Sequence, residues 1–219
     1  MNWSLWRSIP WIDTRAAFVA GTPANGALLD LGSSDGGTLC HMAELRPDLD
    51  FFSVDIAGRP ARTPRGTTFV KADLEKDRLP WPDGSFDAIT CMHVIEHLRT
   101  ATNLWAEIAR LLKPSARAYI ETPGEDSVNT ASAPGLLRNR VTMNFFDDPT
   151  HIHPVSVGNM RIAAAANGLT VLQSGKSRNV LFAAVYPLFA LLPPFRQKYV
   201  AKLHWLGWSA YVIAQRPVA

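Results

Sequence analysis

The chain has 219 residues, enough for one full-sized domain and too few for two comfortable ones. Hydrophobic residues make up 47% and charged ones 19%, which excludes general disorder. A net charge of +3 with no run of Lys or Arg argues against a nucleic-acid binder. The two cysteines, Cys40 and Cys91, lie far apart, one in a helical pattern and one in a strand pattern. They read as small apolar residues rather than a disulfide framework, and the expectation is a reducing cytoplasm. The opening "MNWSLWRSIPWIDTR" lacks the apolar core and cleavage site of a secretory signal.

Residues 1–25 read as a helical extension. The run "GALLDL" (26–31) predicts a strand leading into a turn of small residues. "GTLCHMAELRP" (37–47) has helical spacing, with Leu39, Met42, Ala43 and Leu45 apolar. "LDFFSVDIA" (49–57) predicts a second strand ending near Asp55. "GTTFVKADL" (66–74) predicts a third, after a loop rich in Pro, Gly and Arg. "SFDAITCMHV" (85–94) is rich in β-formers. "TNLWAEIARLLKP" (102–114) is an amphipathic helix with Leu104, Ile108, Leu111 and Leu112 on one side and Pro114 at its end. "ARAYIETPG" (116–124) predicts a further strand, and residues 124–155 then break the rhythm. "SVGNMRIAAAANG" (156–168) is helical, with Gly168 as C-cap. "LTVLQSG" (169–175) and "WSAYVIAQRP" (208–217) predict the last two strands.

Between those strands lies "VLFAAVYPLFALLPPF" (180–195), as apolar as a membrane helix but shorter than the roughly 20 residues a span needs, and interrupted by prolines. It reads as a buried helix pair or cap, or as a surface that touches lipid or covers a greasy substrate. Residues 124–155 and 176–205 are therefore expected to be insertions on the substrate side of a single domain spanning 1–219.

Strand–helix alternation predicts an α/β fold, a doubly wound and mostly parallel sheet with helices on both faces. Ligands in such sheets sit outside the carboxyl ends of the strands. That directs attention to Asp30 to Gly37, Asp55, Asp73, His93 to His97 and the turn at 121–124.

The turn in "LLDLGSSDGGTLC" (28–40) leaves two cofactors open. The dinucleotide fingerprint wants three glycines, and its places hold Gly32, Ser34 and Gly37, with Asp55 where an acid would take ribose hydroxyls. A nicotinamide-dependent oxidoreductase is one reading of these residues. The same residues, with Asp30, Gly32, Ser34 and Gly36, resemble the first motif of class I S-adenosylmethionine-dependent methyltransferases, a serine replacing the central glycine. "KADLEKDRLPWPDGSFDAITCMHVIEHL" (71–98) resembles the middle of that family, and "EIARLLKPSARAYIETPG" (107–124) the helix and strand that follow. The resemblance covers most of 26–125, with motifs in order at the right spacing.

The resemblance implies a Rossmann-like, seven-stranded sheet whose last strand is antiparallel. It implies that Gly32, Ser33, Ser34 and Gly36 line the methionine side of the cofactor, with the Asp30 carboxylate toward its amino end. Asp55 would accept from the ribose hydroxyls, Ile56 would pack on the adenine, Asp73 and Leu74 would hold the adenine edge, and His93 would close the pocket. S-adenosyl-L-methionine is thus the expected cofactor.

Methyl transfer to a hydroxyl also needs a base, and His suits that task near neutral pH. His151 and His153 in "DDPTHIHPVS" are the candidates, expected to point the same way if their segment is extended. Some relatives hold a divalent metal with the Glu and His after the fourth strand and a more distant His. Here His93, Glu96, His97 and one of His151 or His153 could serve, although His93 stands where a carboxylate is expected, and no metal is assigned. Arg138, Arg140 and Arg161 could meet an anionic group, and Phe145 and Phe146 could form an apolar wall. The expected substrate is a small-molecule or lipid-linked hydroxyl, met by a cytoplasmic enzyme with peripheral membrane contact through 180–195. A cofactor-binding partner protein without turnover is the reading from another class.

Overall fold

The computed structural model describes residues 3–218. The strands among them are β1 (Ala27–Leu31), β2 (Asp50–Asp55), β3 (Thr68–Lys71), β4 (Phe86–Met92), β5 (Leu112–Pro123), β6 (Thr170–Ser177) and β7 (Ser209–Gln215). They form one sheet in the order β3-β2-β1-β4-β5-β7-β6. β1 pairs in parallel with β2 and β4, and β7 runs antiparallel to both β5 and β6. This is the mostly parallel sheet with an antiparallel last strand that the alternation and the resemblance implied.

The helices are α1 (Thr14–Ala20), α2 (Gly37–Leu45), α3 (Thr102–Leu111), α4 (Val157–Ala166), α5 (Val180–Ala190) and α6 (Arg196–Leu206). Two short 3-10 turns, Trp3–Trp6 and Pro10–Ile12, precede α1. Central strands such as β1 and β4 are apolar almost without a break because both of their faces are covered. One core packs Trp105, Ile108, Phe86 and Met160 between the sheet and α3 and α4. The other packs Trp3, Trp6, Phe18, Met42 and Tyr119 under α1 and α2. Cys91 is buried in the first core and Cys40 is half-buried, both as free thiols.

Local capping explains how the termini are pinned. Asp13 accepts hydrogen bonds from the backbone N–H groups of Arg15 and Ala16 at the start of α1 (3.0 and 3.2 Å). Its other oxygen accepts from Asn179 Nδ2 (3.1 Å), while the Asn179 side-chain oxygen caps α5 through Phe182 N–H (3.1 Å). The start of α1 and the start of α5 are therefore joined. A third apolar cluster packs Ala133, Val141 and Met143 against Tyr199, Val200 and Leu203 of α6. Through it the irregular stretch after β5 and the hairpin before β7 meet above the sheet. No helix among the described residues is long and apolar enough to cross a membrane.

Candidate active site

The strand order reverses between β1 and β4, and ligands in this architecture lie at that switch point, beyond the strands' carboxyl ends. A cavity of about 390 Å³ opens there, within the range of ligand sites. Gly32, Ser34, Asp55, Ile56, Asp73, Leu74 and His93 all line it, as do Glu75, Val94, His97 and Leu98. Gly32 has φ +78°, and a Cβ there would collide with Val94, so no other residue fits. Ser34, in place of the family's central glycine, takes the left-handed φ of +46°. Its N–H donates to Asp55 Oδ2 (2.7 Å), and Ala57 N–H donates to Asp55 Oδ1 (2.8 Å). The carboxylate is thus held at the tip of β2, where it can still accept from a pair of hydroxyls.

Three sequence-predicted residues stand off this wall. Asp30 is buried beneath the turn and accepts from Thr90 Oγ1 (2.7 Å). Burial pushes its carboxyl up to about 6, the Thr90 bond opposes that, and nearby Asp55 adds to it. Ser33 is buried, with its N–H turned back to the Val54 carbonyl (3.1 Å). Gly36 is pressed against the Arg62 backbone and sits at the N-cap of α2. All three shape the turn from behind. The Asp73 carboxylate pairs with Lys76 (2.8 Å) and accepts from Glu75 N–H (2.9 Å), which holds the 73–75 turn against the cavity. The apolar lining of Ile56, Val94, Leu74 and Leu98 suits an adenine. The surrounding acids Asp55, Asp73 and Glu75 suit a cationic cofactor.

His93 takes φ +55° at the end of β4 and is half-buried between two fully buried glutamates. Its Nδ1 lies 3.2 Å from Glu96 Oε1 and its Nε2 lies 3.1 Å from Glu121 Oε1. Burial opposes protonation, but the hydrogen bonds and charges of Glu121 and Glu96 outweigh it and raise the imidazolium's pKa to about 9. Glu121 in turn receives Arg15 bidentately and the Tyr119 hydroxyl. Burial works against its ionisation, yet Arg15 and His93 hold it well below the usual carboxylate range. His93 is therefore a fixed cation at neutral pH and a poor general base.

A second cavity of about 330 Å³ shares His93 and His97 with the first. Its other walls come from the stretch after β5 (Arg140, Val141, Thr142, Asp148, His151), from α6 (Arg196, Val200, Leu203) and from Trp208. His151 packs on Phe145 and is nearly enclosed. Its Nδ1 lies 2.6 Å from the Phe145 carbonyl oxygen, which can only accept, so Nδ1 donates there and Nε2 has no hydrogen-bond partner among the described residues. Nε2 stands 4.0 Å from both the Glu96 and the Asp148 carboxylates. His153 does not accompany it. It is exposed and lines a separate cavity with α3 and α4, while the Ile152 N–H between the two donates to the Glu96 carbonyl (2.8 Å).

Glu96, His97 and His151 bring one ligand atom each within 4.8 Å of one another. The two Glu96 oxygens also accept from His93 and from Thr122 Oγ1 (3.2 and 3.1 Å), and no metal is assigned to the cluster. Arg138 is committed to Asp147 (2.8 Å), Phe145 is buried, and Phe146 is exposed. Sequence reasoning missed Arg15, Arg196 and Trp208. Glu121 was visible only as the start of a strand-end turn.

The model of the methyltransferase domain matches residues 6–174. A ubiquinone biosynthesis O-methyltransferase of Xanthomonas oryzae pv. oryzae is 31% identical over 106 residues, covering 45% of this chain and 44% of the relative. A ubiquinone/menaquinone biosynthesis C-methyltransferase of Desulfotalea psychrophila is 28% identical over 102 residues, covering 45% and 42%. The chain thus spans less than half the length of these curated relatives. The crystal structure of an S-adenosylmethionine-dependent methyltransferase from Mesorhizobium loti superposes with a TM-score of 0.65 at 17% identity, covering 91% of this chain and 96% of that one. The cofactor question left open by the turn alone is thereby decided against a nicotinamide, and the chain belongs to the class I S-adenosylmethionine-dependent methyltransferase family.

Proposed function

We propose that the chain transfers the methyl group of S-adenosylmethionine to an oxygen of a small, partly apolar acceptor that carries an anionic group. The observation that carries this reading is the bare Nε2 of His151, facing a cavity that shares two residues with the cofactor cavity. The cofactor, when bound, supplies an electrophilic methyl group on a sulfonium, so the reactivity is its own. The chain must hold the acceptor in line, take its proton and keep water out.

His151 Nε2 takes the hydroxyl proton in this reading, its ring fixed by the Phe145 carbonyl. The Asp148 and Glu96 carboxylates stand 4.0 Å from that nitrogen. His93, a standing cation at the junction of the two cavities, stabilises the oxyanion that develops on the acceptor. Arg140 and Arg196 hold the anionic group, while Val141, Val200, Leu203 and Trp208 enclose the apolar part. Asp55 accepts from the cofactor's ribose hydroxyls. The stretch 124–155 and the α5–α6 hairpin, meeting at the Val141–Leu203 cluster, form the roof. The reaction belongs to a reducing cytoplasm, where Cys40 and Cys91 remain thiols.

The test is turnover of methyl-labelled S-adenosylmethionine with phenols, catechols and amines, each with and without a carboxylate. Transfer to the carboxylated hydroxyl compounds supports the reading. Transfer to amines alone would overturn it. Binding of S-adenosylhomocysteine with no transfer to any acceptor would favour the cofactor-binding partner without turnover.

A further inference from the structure

The α5–α6 hairpin has an inverted surface. None of the α5 residues is fully buried. Among those it turns to solvent are Val180, Leu181, Ala184, Pro187 and Leu188, with Leu191 just beyond its end, and all are apolar. Their spacing puts them on one helical stripe. Leu188 is 68% exposed and Leu191 84%. The opposite face packs on α6 through Phe182 against His204 and Tyr186 against Trp205 (ring centroids 5.5 and 6.0 Å apart). A helix lying on a protein should face water with polar residues, so this stripe marks a docking surface.

Charge and aromatic placement identify what covers it. All 19 acidic residues of the chain lie before residue 149, and the remainder carries seven Lys and Arg. Five of those seven flank or form the hairpin; Lys176 is paired with Asp126 (2.9 Å) and Arg196 walls the second cavity, which leaves Arg178, Lys198 and Lys202 beside the stripe. Trp11, 69% exposed, sits two residues before Asp13, whose bridge to Asn179 ties that segment to the start of α5. Exposed Trp205 adds a second aromatic of the kind found at membrane–water interfaces. A second copy of this chain would set basic hairpin against basic hairpin, which charge disfavours.

We propose that the α5–α6 hairpin docks on an anionic lipid surface. The α5 stripe lies in the boundary between headgroups and acyl chains, and the flanking Lys and Arg meet lipid phosphates. The contact is peripheral, since none of the described helices can span a bilayer. The face of α6 bearing Arg196, Val200 and Leu203 walls the second cavity. On the reading given under Proposed function, an amphiphilic acceptor then passes from the lipid into that cavity without crossing water.

Co-sedimentation with vesicles tests this, using mixed phosphatidylglycerol and phosphatidylcholine against phosphatidylcholine alone. Partitioning onto the anionic vesicles that weakens with added salt is expected. The double change Leu188→Glu and Leu191→Glu should lower it about tenfold or more, with S-adenosylhomocysteine affinity unchanged as the check that the domain is folded. Three results would overturn the proposal: no partitioning of the wild-type chain, partitioning that survives the double change, or a dimer that the double change dissolves with no vesicle binding. Failure to bind S-adenosylhomocysteine would instead strike the cofactor reading and leave the vesicle result standing.

Discussion

Arg15 of α1 and Glu121 of β5, 106 residues apart in sequence, form a bidentate ion pair beneath the junction of the two cavities. Both guanidinium-to-carboxylate bonds from Nε are within 3.1 Å, and the Glu121 side chain is fully buried. Removing one partner of such a pair leaves a charge that neither water nor another cation can fully serve. Arg15→Met should therefore destabilise the fold by about 3 kcal/mol, near the lower end for broken buried pairs because His93 still faces Glu121. Urea unfolding measures it, and a change within about 0.5 kcal/mol, the scale of an ordinary surface substitution, would mean the pair is not structural.

His93 gives a pH dependence of definite sign. Its pKa rises from 6.5 to about 9 on folding. A group raised in this way contributes its full stabilisation below the unfolded value and loses it as pH rises through the folded one. The thermal midpoint should therefore fall between pH 6.5 and about 9. In His93→Gln that decline should flatten, because glutamine has no proton to lose. An equally steep decline in the variant would place the titration elsewhere.

These two residues also mark where sequence reasoning stops. The sheet was legible because buried parallel strands must be almost wholly apolar and their turns small, so "LLDLGSS" and "FFSVD" announce strand ends without any neighbours known. The lining of the cavity beyond the strands was legible too, since Asp55, Ile56, Leu74 and His93 lie at or within three residues of strand ends. The charge network was not legible. Arg15 sits in a stretch with no motif, and only the pairing of β5 beside β7 and the packing of α1 bring it to Glu121. His151 and His153 were expected to act as a pair because alternation in an extended segment is local. In the fold His151 lines the second cavity and His153 a separate one against α3 and α4, a difference that tertiary packing decides.

Asp55 can be tested without knowing the acceptor. Its carboxylate accepts from the Ser34 and Ala57 amides and lines the cavity at the switch point, the proposed cofactor site. Asp55→Ala removes a charged acceptor, so S-adenosylhomocysteine binding should weaken by about 1.5–3 kcal/mol. Calorimetric titration reads this directly, and unchanged affinity in a folded variant would remove Asp55 from the site.

Arg140 and Arg196 come to the second cavity from different elements, one after β5 and one at the start of α6. If they hold an anionic group, Arg196→Gln should raise KM for carboxylated acceptors about tenfold, the usual loss for one charge-assisted hydrogen bond. Acceptors without the carboxylate should be unaffected. Equal losses for both kinds would make Arg196 a wall residue rather than an anion contact.

The two histidines of "HIH" offer the sharpest contrast, because they are two residues apart and line different cavities. His151→Ala removes the bare nitrogen that faces the acceptor cavity and should lower kcat about a hundred- to ten-thousand-fold, the range for loss of a general base. The cofactor's KM should stay the same, since His151 does not line the cofactor cavity. His151→Gln supplies a hydrogen-bonding side chain but no base, so it should not rescue the rate. His153→Ala should leave kcat and both KM values unchanged. A reversed pattern, with His153 costly and His151 neutral, would move the acceptor to the cavity against α3 and α4 and overturn the assignment of the base.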